Sequence, residues 1–346
     1  MNIFLDETKS REQLFPFTHT RHVADIRVGI LTIRQKWEQI TGLTVITNAE
    51  SKNSDSLIVE ANIIPTKNTA SRIIKAAEDK TPILENEEIK MLHHPWQIFQ
   101  INDWAIRYDF ENITALRTSF SISATNQCIK ASDIFAEEGA QAEHCILNAS
   151  TGPIYIGKNV QIMEGTMIRG PFSAGEGTLI KMGSKIYGAT SIGPCCVAGG
   201  EIKNAVLFGY SNKAHDGYLG DSVIGEWCNL GAGTSNSNIK NTGGEVKYYI
   251  DANRIPLAAG NKAGLLMGDY SRCAINTSFN TGTVVGVCCN IFGEMPGKYV
   301  HHFSWGTERY IFDKALQDIA NWKKMKGHEI SINEIEILNQ LYSNHQ

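Results

Sequence analysis

The chain has 346 residues, 42% of them hydrophobic and 20% charged, with a formal net charge of −4. That length allows two domains or one elongated unit with appendages, and the composition is that of a globular protein. The charge balance gives no basic footprint for nucleic acid and no apolar run approaches the roughly 20 residues of a membrane span. The start, MNIFLDETKSRE, is acidic where a signal peptide is basic and then apolar, so a cytoplasmic protein is expected.

In chain order, residues 2–5 (NIFL) and Leu43–Thr47 read as short strands, and Val28–Trp37 as strand or helix with an amphipathic end. The stretch 66–90 is polar and rich in lysine and glutamate, with Ala70–Ala77 as a helix candidate. His93-His94-Pro95-Trp96 has no carboxylate or cysteine at ligand spacing and reads as a hinge or packing corner rather than a metal site. An amphipathic segment, Gln97–Phe110, follows, and 111–135 reads as a linker.

From Ile156 the sequence falls into six-residue periods. The first position runs Ile156, Ile162, Ile168, Ala174, Ile180, Ile186, Ile192, Ala198; the fifth runs Val160, Thr166, Phe172, Thr178, Ser184, Thr190, Cys196, Ile202. The register resumes at Tyr218, Ile224 and Leu230, and again at Met267, Cys273, Phe279 and Val285. A period of six fits neither a 3.6-residue helix nor a period-2 strand; it fits a solenoid of short parallel strands whose coils complete one another's core. At three faces per coil the pattern predicts about five coils. Of the eight cysteines, Cys196, Cys228 and Cys289 fall at core positions and are expected as buried free thiols.

Residues 236–266 break the repeat, and an insertion of that length without its own pattern points to function. After Gly293 the stretch GEMPGKYVHHFSWG is a crossing. A helix over Thr307–Lys326 is next, with Ile311, Phe312, Ala315, Leu316, Ile319 and Trp322 on one face. Ser331 and Glu334 form a capping-box signature for a second helix.

The stretch GEIKNAVLFGYSNKAHDGYLGDSVIGEWCNLGAGTSNSN, residues 200–238, resembles the acetyltransferase half of the bifunctional N-acetylglucosamine-1-phosphate uridyltransferase/glucosamine-1-phosphate acetyltransferase family. More of the chain, from IFLDETKSREQLFPFTHTRHVADIRVGILTIRQKWE through HPWQIFQIN to GPIYIGKNV and INTSFNTGTVVG, resembles the related group labelled putative sugar nucleotidyltransferases. The resemblance implies a mainly β fold: a left-handed parallel β-helix, the hexapeptide-repeat solenoid, with a small α/β N-terminal domain and C-terminal helices. The expected division is 1–125, 126–300 and 301–346. In the related pyrophosphorylases the first strand leads into a glycine-rich loop that cradles a triphosphate. Here DETKSREQLFPFT stands in that place, with no glycine until Gly29, although Arg11, Pro16, Thr18 and Arg21 echo the family's run. The N-terminal domain therefore reads as degenerate, structural or regulatory.

A loop histidine taken alone is an ordinary surface residue. Within SNKAH-x2-YLGD-x2-IG-x3-N-x-GAGT, His215 falls on the family's catalytic histidine, a base of suitable pKa for an attacking amine. The same superposition puts the family's sugar-binding residues on Lys203, Tyr218 and Asn229, and its cofactor contacts on Ala232 and Asn238. Tyr218 occupies a first hexad position, so core packing competes with a substrate role. Ile239 replaces the family's tyrosine, Asp216-Gly217 replace its residues after the histidine, and its phosphate-binding arginine falls near Lys185. The resemblance implies acetyl transfer from acetyl-CoA to an amino-sugar phosphate or nucleotide sugar, in a homotrimer whose loop 236–266 reaches toward the cofactor or a neighbouring subunit. The alternatives are a sugar-1-phosphate nucleotidyltransferase using Mg²⁺ and a non-catalytic scaffold that binds sugar nucleotides. No zinc site is expected, because only His215 lies within the coils.

Overall fold

The computed structural model describes residues 2–83, 86, 88–250, 256–294 and 297–344. The chain begins with a three-stranded parallel sheet in which Asn2–Asp6 lies between Val45–Ile46 and Ser56–Glu60. The ambiguous stretch after Val28 resolves into a tight antiparallel pair, Arg27–Val28 with Leu31–Thr32, and helix α1 (Ile33–Thr41). Thr32 and Gln35 form a capping box at its start, satisfying backbone donors that a helix N-terminus leaves free. Helix α2 (Lys67–Glu78) is capped in the same way by Thr66 and Thr69. Two further helices, α3 (Gln97–Gln100) and α4 (Asn102–Thr114), lead to the solenoid.

The solenoid is a parallel β-helix with three faces. The first carries Ile146–Asn148, Met167–Arg169, Lys185–Tyr187 and the front halves of two long strands, Glu201–Leu207 and Tyr218–Ile224. The back halves of those strands bend onto the second face, with Thr190–Ile192 below and Leu265–Met267 above. The third face is a ten-stranded sheet in which only the last strand, Glu308–Arg309, runs antiparallel. The coil count is therefore nearly twice the expected five. Parallel coiling already starts at Gln127–Ile129, well before Ile156, runs through the break at Asn212–Lys213, and continues past Val285 to Asn290–Ile291 and Ser304–Trp305. The hexad assignment itself holds: every first- and fifth-position residue from Ile156 to Ile202 is buried. Tyr218 is the exception further on. Leu219, paired with Ile202, points inward, and Tyr218 stands outward beside Glu201.

The N-terminal sheet and helices are packed on the outside of the second face. One continuous core joins Phe15, Phe17, Trp96, Ile98 and Phe99 to Val206, Phe208, Val223, Leu266 and Val284. The polar contacts at this junction are buried too. Asn102 donates to Ala189 O at 2.8 Å and accepts from Gly29 N at 2.8 Å, while Asp109 takes Lys36 and the Ile30 and Leu31 N–H groups. Burial pushes the Asp109 carboxyl up, against the pull of Lys36.

The insertion after residue 236 forms an antiparallel hairpin, Val246–Tyr248 with Leu257–Gly260; residues 251–255 lie outside the described residues. It turns back onto the N-terminal region rather than outward. Tyr248 stacks on Trp96 with ring centroids 5.3 Å apart, and Gln100 donates to Ala259 O. Trp96 in turn stacks on His94, which makes the expected packing corner.

Helices α5 (Phe312–Met325) and α6 (Ile332–Asn344) lie along one corner of the solenoid rather than over its end. At that corner Tyr210, Trp227, Tyr270 and Phe303 all adopt positive φ, between 54° and 62°. Left-handed backbone costs a non-glycine residue on the order of 1–2 kcal/mol. Here it aims bulky side chains out of the rungs, into one core with Ala315, Ile319 and Leu338. The Ser331–Glu334 capping box is present.

Candidate functional site

On the first face the backbone ladder is interrupted above Tyr218–Gly220, which is left as the edge of its sheet: the next rung, Ser235–Asn236, pairs with Ser278–Phe279 and meets Tyr218–Gly220 through side chains. The Asn236 side chain accepts from Gly220 N at 2.8 Å and donates to Gly220 O at 3.0 Å, doing for one peptide what a backbone ladder would do. Below this edge, register alone assembles the polar cluster: Glu201 stands between Lys185 and Tyr218, and Lys203 between Tyr187 and Gly220. Tyr187 donates to Glu201 at 2.6 Å, and the Lys203 ammonium lies 5.7 Å from the Tyr187 ring centroid. No carboxylate among the described residues pairs with Lys203.

The Tyr218 ring lies across Gly220, where a Cβ would be 2.3 Å from the phenol oxygen. Only glycine fits beneath it. The Asn238 amide donates to Tyr218 Oη at 3.1 Å and to Asp221, whose other oxygen accepts from Asn204 at 2.7 Å. Burial pushes the Tyr218 hydroxyl up to about 12, with Asp221 adding to it, so the phenol keeps its proton at neutral pH. Asn204 and Asp221 both hold positive φ at the same corner, one coil apart.

His215 lies on the turn joining the third face to the first. It is exposed, and its imidazole has no hydrogen bond to the described residues. In the next coil the Ala232–Gly233 corner stacks on this turn through Gly233 N and Asp216 O, 3.1 Å apart, and Ala232 O accepts from Asn276 N. Asn229 is elsewhere. It sits on the third face and accepts from Asn212 at 3.3 Å, and Asn212 receives Lys326 from the end of α5. The structure thus gathers Lys203, Tyr218 and Asn238 on one face, places His215 and Ala232 at the adjoining corner, and leaves Asn229 on another face. Sequence reading missed Tyr187, Glu201, Asn204 and Asp221. The signal was present in part, since Asn204 and Asp221 lie in the EIKN and YLGD motifs, one coil apart.

The N-terminal loop that echoes a phosphate-binding run is occupied with the solenoid. Arg21 is buried against Asp269 and Glu226, Thr20 also donates to Asp269, and the His19 and His302 rings are 3.0 Å apart at their nitrogens. Burial opposes the Arg21 charge, yet Asp269 and Glu226 outweigh it and hold its pKa above the ordinary value. Beneath the sheet's edge a cavity of about 620 Å³ is lined by Asp6, Lys9, Ser56, Glu60 and Lys80 among others.

A family model described as sugar nucleotidyl transferase matches residues 2–88. A bifunctional sugar-1-phosphate nucleotidylyltransferase/acetyltransferase from Sulfurisphaera tokodaii is 28% identical over 235 residues, 66% of this chain and 50% of that protein. The bifunctional protein GlmU of Methanocaldococcus jannaschii is 35% identical over 89 residues, 26% of this chain and 21% of its own length. GlmU of Synechococcus elongatus is 35% identical over 99 residues, 22% of its length. The chain resembles the bifunctional sugar-nucleotide enzymes. It spans between about a fifth and a half of the length of these curated relatives. No helix among the described residues is long and apolar enough to cross a membrane.

Proposed function

We propose that the chain is a transferase of sugar-nucleotide synthesis, acting as an acetyl-CoA-dependent N-acetyltransferase on an amino-sugar phosphate or nucleotide sugar. The observation that carries this reading is the first-face cluster: a lysine with no carboxylate partner among the described residues, beside two tyrosines, next to a turn that presents an exposed histidine. Lys203 would hold the acceptor's phosphate as a point charge. Tyr218, protonated and fixed by Asn238, would donate to a sugar hydroxyl or to the acyl carbonyl. The amine nitrogen bonds to the thioester carbonyl carbon and the C–S bond breaks. His215 takes the proton from nitrogen and returns it to the departing thiolate. Ala232 and Asn238 would meet the acyl donor, Asn238 through its amide oxygen, since its nitrogen is engaged by Tyr218 and Asp221. The chain would act in the cytoplasm as a homotrimer, in which Asn229, on a different face from Lys203, serves a neighbouring copy.

The match over residues 2–88 favours a second reading, sugar-1-phosphate nucleotidyl transfer with Mg²⁺. Against it stand the absence of glycine from the loop after Asp6 and the engagement of Thr20 and Arg21 by Asp269. A non-catalytic scaffold is the reading left if neither activity is found. The deciding test is thiol release from acetyl-CoA with glucosamine-1-phosphate and UDP-glucosamine as acceptors, run beside pyrophosphate release from UTP. His215→Ala should lower acetyl transfer by about 10²–10⁴-fold with an unchanged melting temperature. Equal rates for the variant and the parent would remove the mechanism.

A further inference from the structure

On its inward side the third face carries Ala142, Ile162, Ile180, Ala198, Leu230 and Cys273, and between Ala198 and Leu230 it carries Lys213. A lysine in an apolar stack is costly unless its ammonium is fully engaged. Lys213 is 1% exposed, and its Nζ donates to Gly199 O at 3.2 Å and to the carbonyl of His215. Burial brings its pKa down to about 8, with Asp216 pulling the other way.

The neighbouring coils show why a cation is needed there. At the same corner, Thr166 and Ser184 direct their hydroxyls to Lys181 O. Backbone pairing puts Ser184, Gly200 and Gly217 in one column, so two consecutive coils lack that hydroxyl. Glycine is required at the first of them, because a Cβ on Gly200 would lie 2.7 Å from His215 O, where the longer turn crosses over it. The corner that makes room for the His215 turn thereby loses the groups that fasten its neighbours.

We infer that Lys213 is a positioning residue for His215, holding the turn by its backbone from inside the solenoid in place of the missing hydroxyls. The consequence for chemistry rests on His215 being the base, as proposed above. The clamp itself is independent of that reading.

The test is Lys213→Met in the full chain, with two readouts. Amide hydrogen exchange over 214–218 should rise about tenfold or more while the flanking coils keep their protection. Acetyl transfer should fall about 100-fold in kcat with KM for acetyl-CoA unchanged. Unchanged exchange in the turn would overturn the inference, and so would faster exchange throughout the coils, which would make Lys213 a general core residue. Should the methionine variant fail to fold, Lys213→Gln retains a donor of shorter reach and should give intermediate exchange in the turn alone. If the turn loosens as stated but the parent protein transfers no acetyl group, the clamp stands and the acyltransferase reading fails.

Discussion

Removing Arg21 tests whether the N-terminal loop serves a nucleotide or the fold. In Arg21→Met the methionine can still pack on Phe208, over whose ring the guanidinium now lies at 4.9 Å. Asp269, 2% exposed, would keep the Thr20 hydroxyl and the Glu226 N–H but lose the only cation that pairs with it among the described residues. Breaking a buried pair from one side costs about 3–5 kcal/mol. The chain's 346 residues imply an unfolding entropy of roughly 0.7 kcal/mol per kelvin. The melting temperature should therefore fall by ~4–7 °C, read by calorimetry or tryptophan fluorescence. Lys9→Ala, which removes an exposed pair with Glu60, is the control and should leave the midpoint in place. Adding Asp269→Asn to Arg21→Met should recover part of the loss, because the stranded charge goes with it. A midpoint that does not move in Arg21→Met would refute the pinning role, and a simultaneous loss of UTP binding would return the loop to nucleotide chemistry.

The remaining expectations concern the first face and the C-terminal helices. Gly220→Ala forces the Tyr218 ring away from its seat, so acetyl transfer should fall by more than tenfold, with about 1–3 kcal/mol lost from stability. Arg272→Met should leave the midpoint unchanged or raise it: the guanidinium packs on Trp322 with two buried nitrogens that have no hydrogen-bond partner among the described residues, and burial already depresses its pKa. A marked drop in that midpoint would show that the guanidinium meets a bound water or anion. Burial works to raise the Glu334 pKa, but Lys323, Ser331 and Tyr270 outweigh it and bring it below the ordinary 4.5. A depressed carboxylate stabilises above its unfolded pKa and loses that contribution as pH falls, so α6 should loosen below about pH 4.5. Hydrogen exchange on α6 should show it, and Glu334→Gln should flatten the dependence.

Much of the solenoid was legible because a six-residue period leaves no freedom of face: Ile168 and Ile186 can only be inside. The count of coils was not: rungs before Ile156 fill inward positions with Ala136 and Ala142, the rung in the break puts Lys213 there, and two more, Asn290–Ile291 and Ser304–Trp305, follow Val285, the last residue of the six-residue pattern. Tyr218 falls on a first hexad position, which leaves core packing and a substrate role both open from sequence; the inward residue of that rung is its neighbour Leu219. The capping box at Ser331 was read correctly because its chemistry is local. Asp269 and Glu226 were invisible for the opposite reason: their partner Arg21 lies more than 200 residues away, and no spacing announces it. The insertion after Asn236 resembled a functional loop, while Val246 and Tyr248 act as core residues of a region at the other end of the chain.

That shared core has a consequence for synthesis. The first hundred residues leave the ribosome with Phe15, Phe17, Trp96 and Phe99 unable to finish their packing until Val206, Val223, Leu266 and Val284 have been made. An intermediate with exposed aromatic surface must persist over that interval, the kind of species that aggregates or engages chaperones. Severing the chain near residue 126 would make the interval permanent, and neither piece should be recovered folded from expression alone.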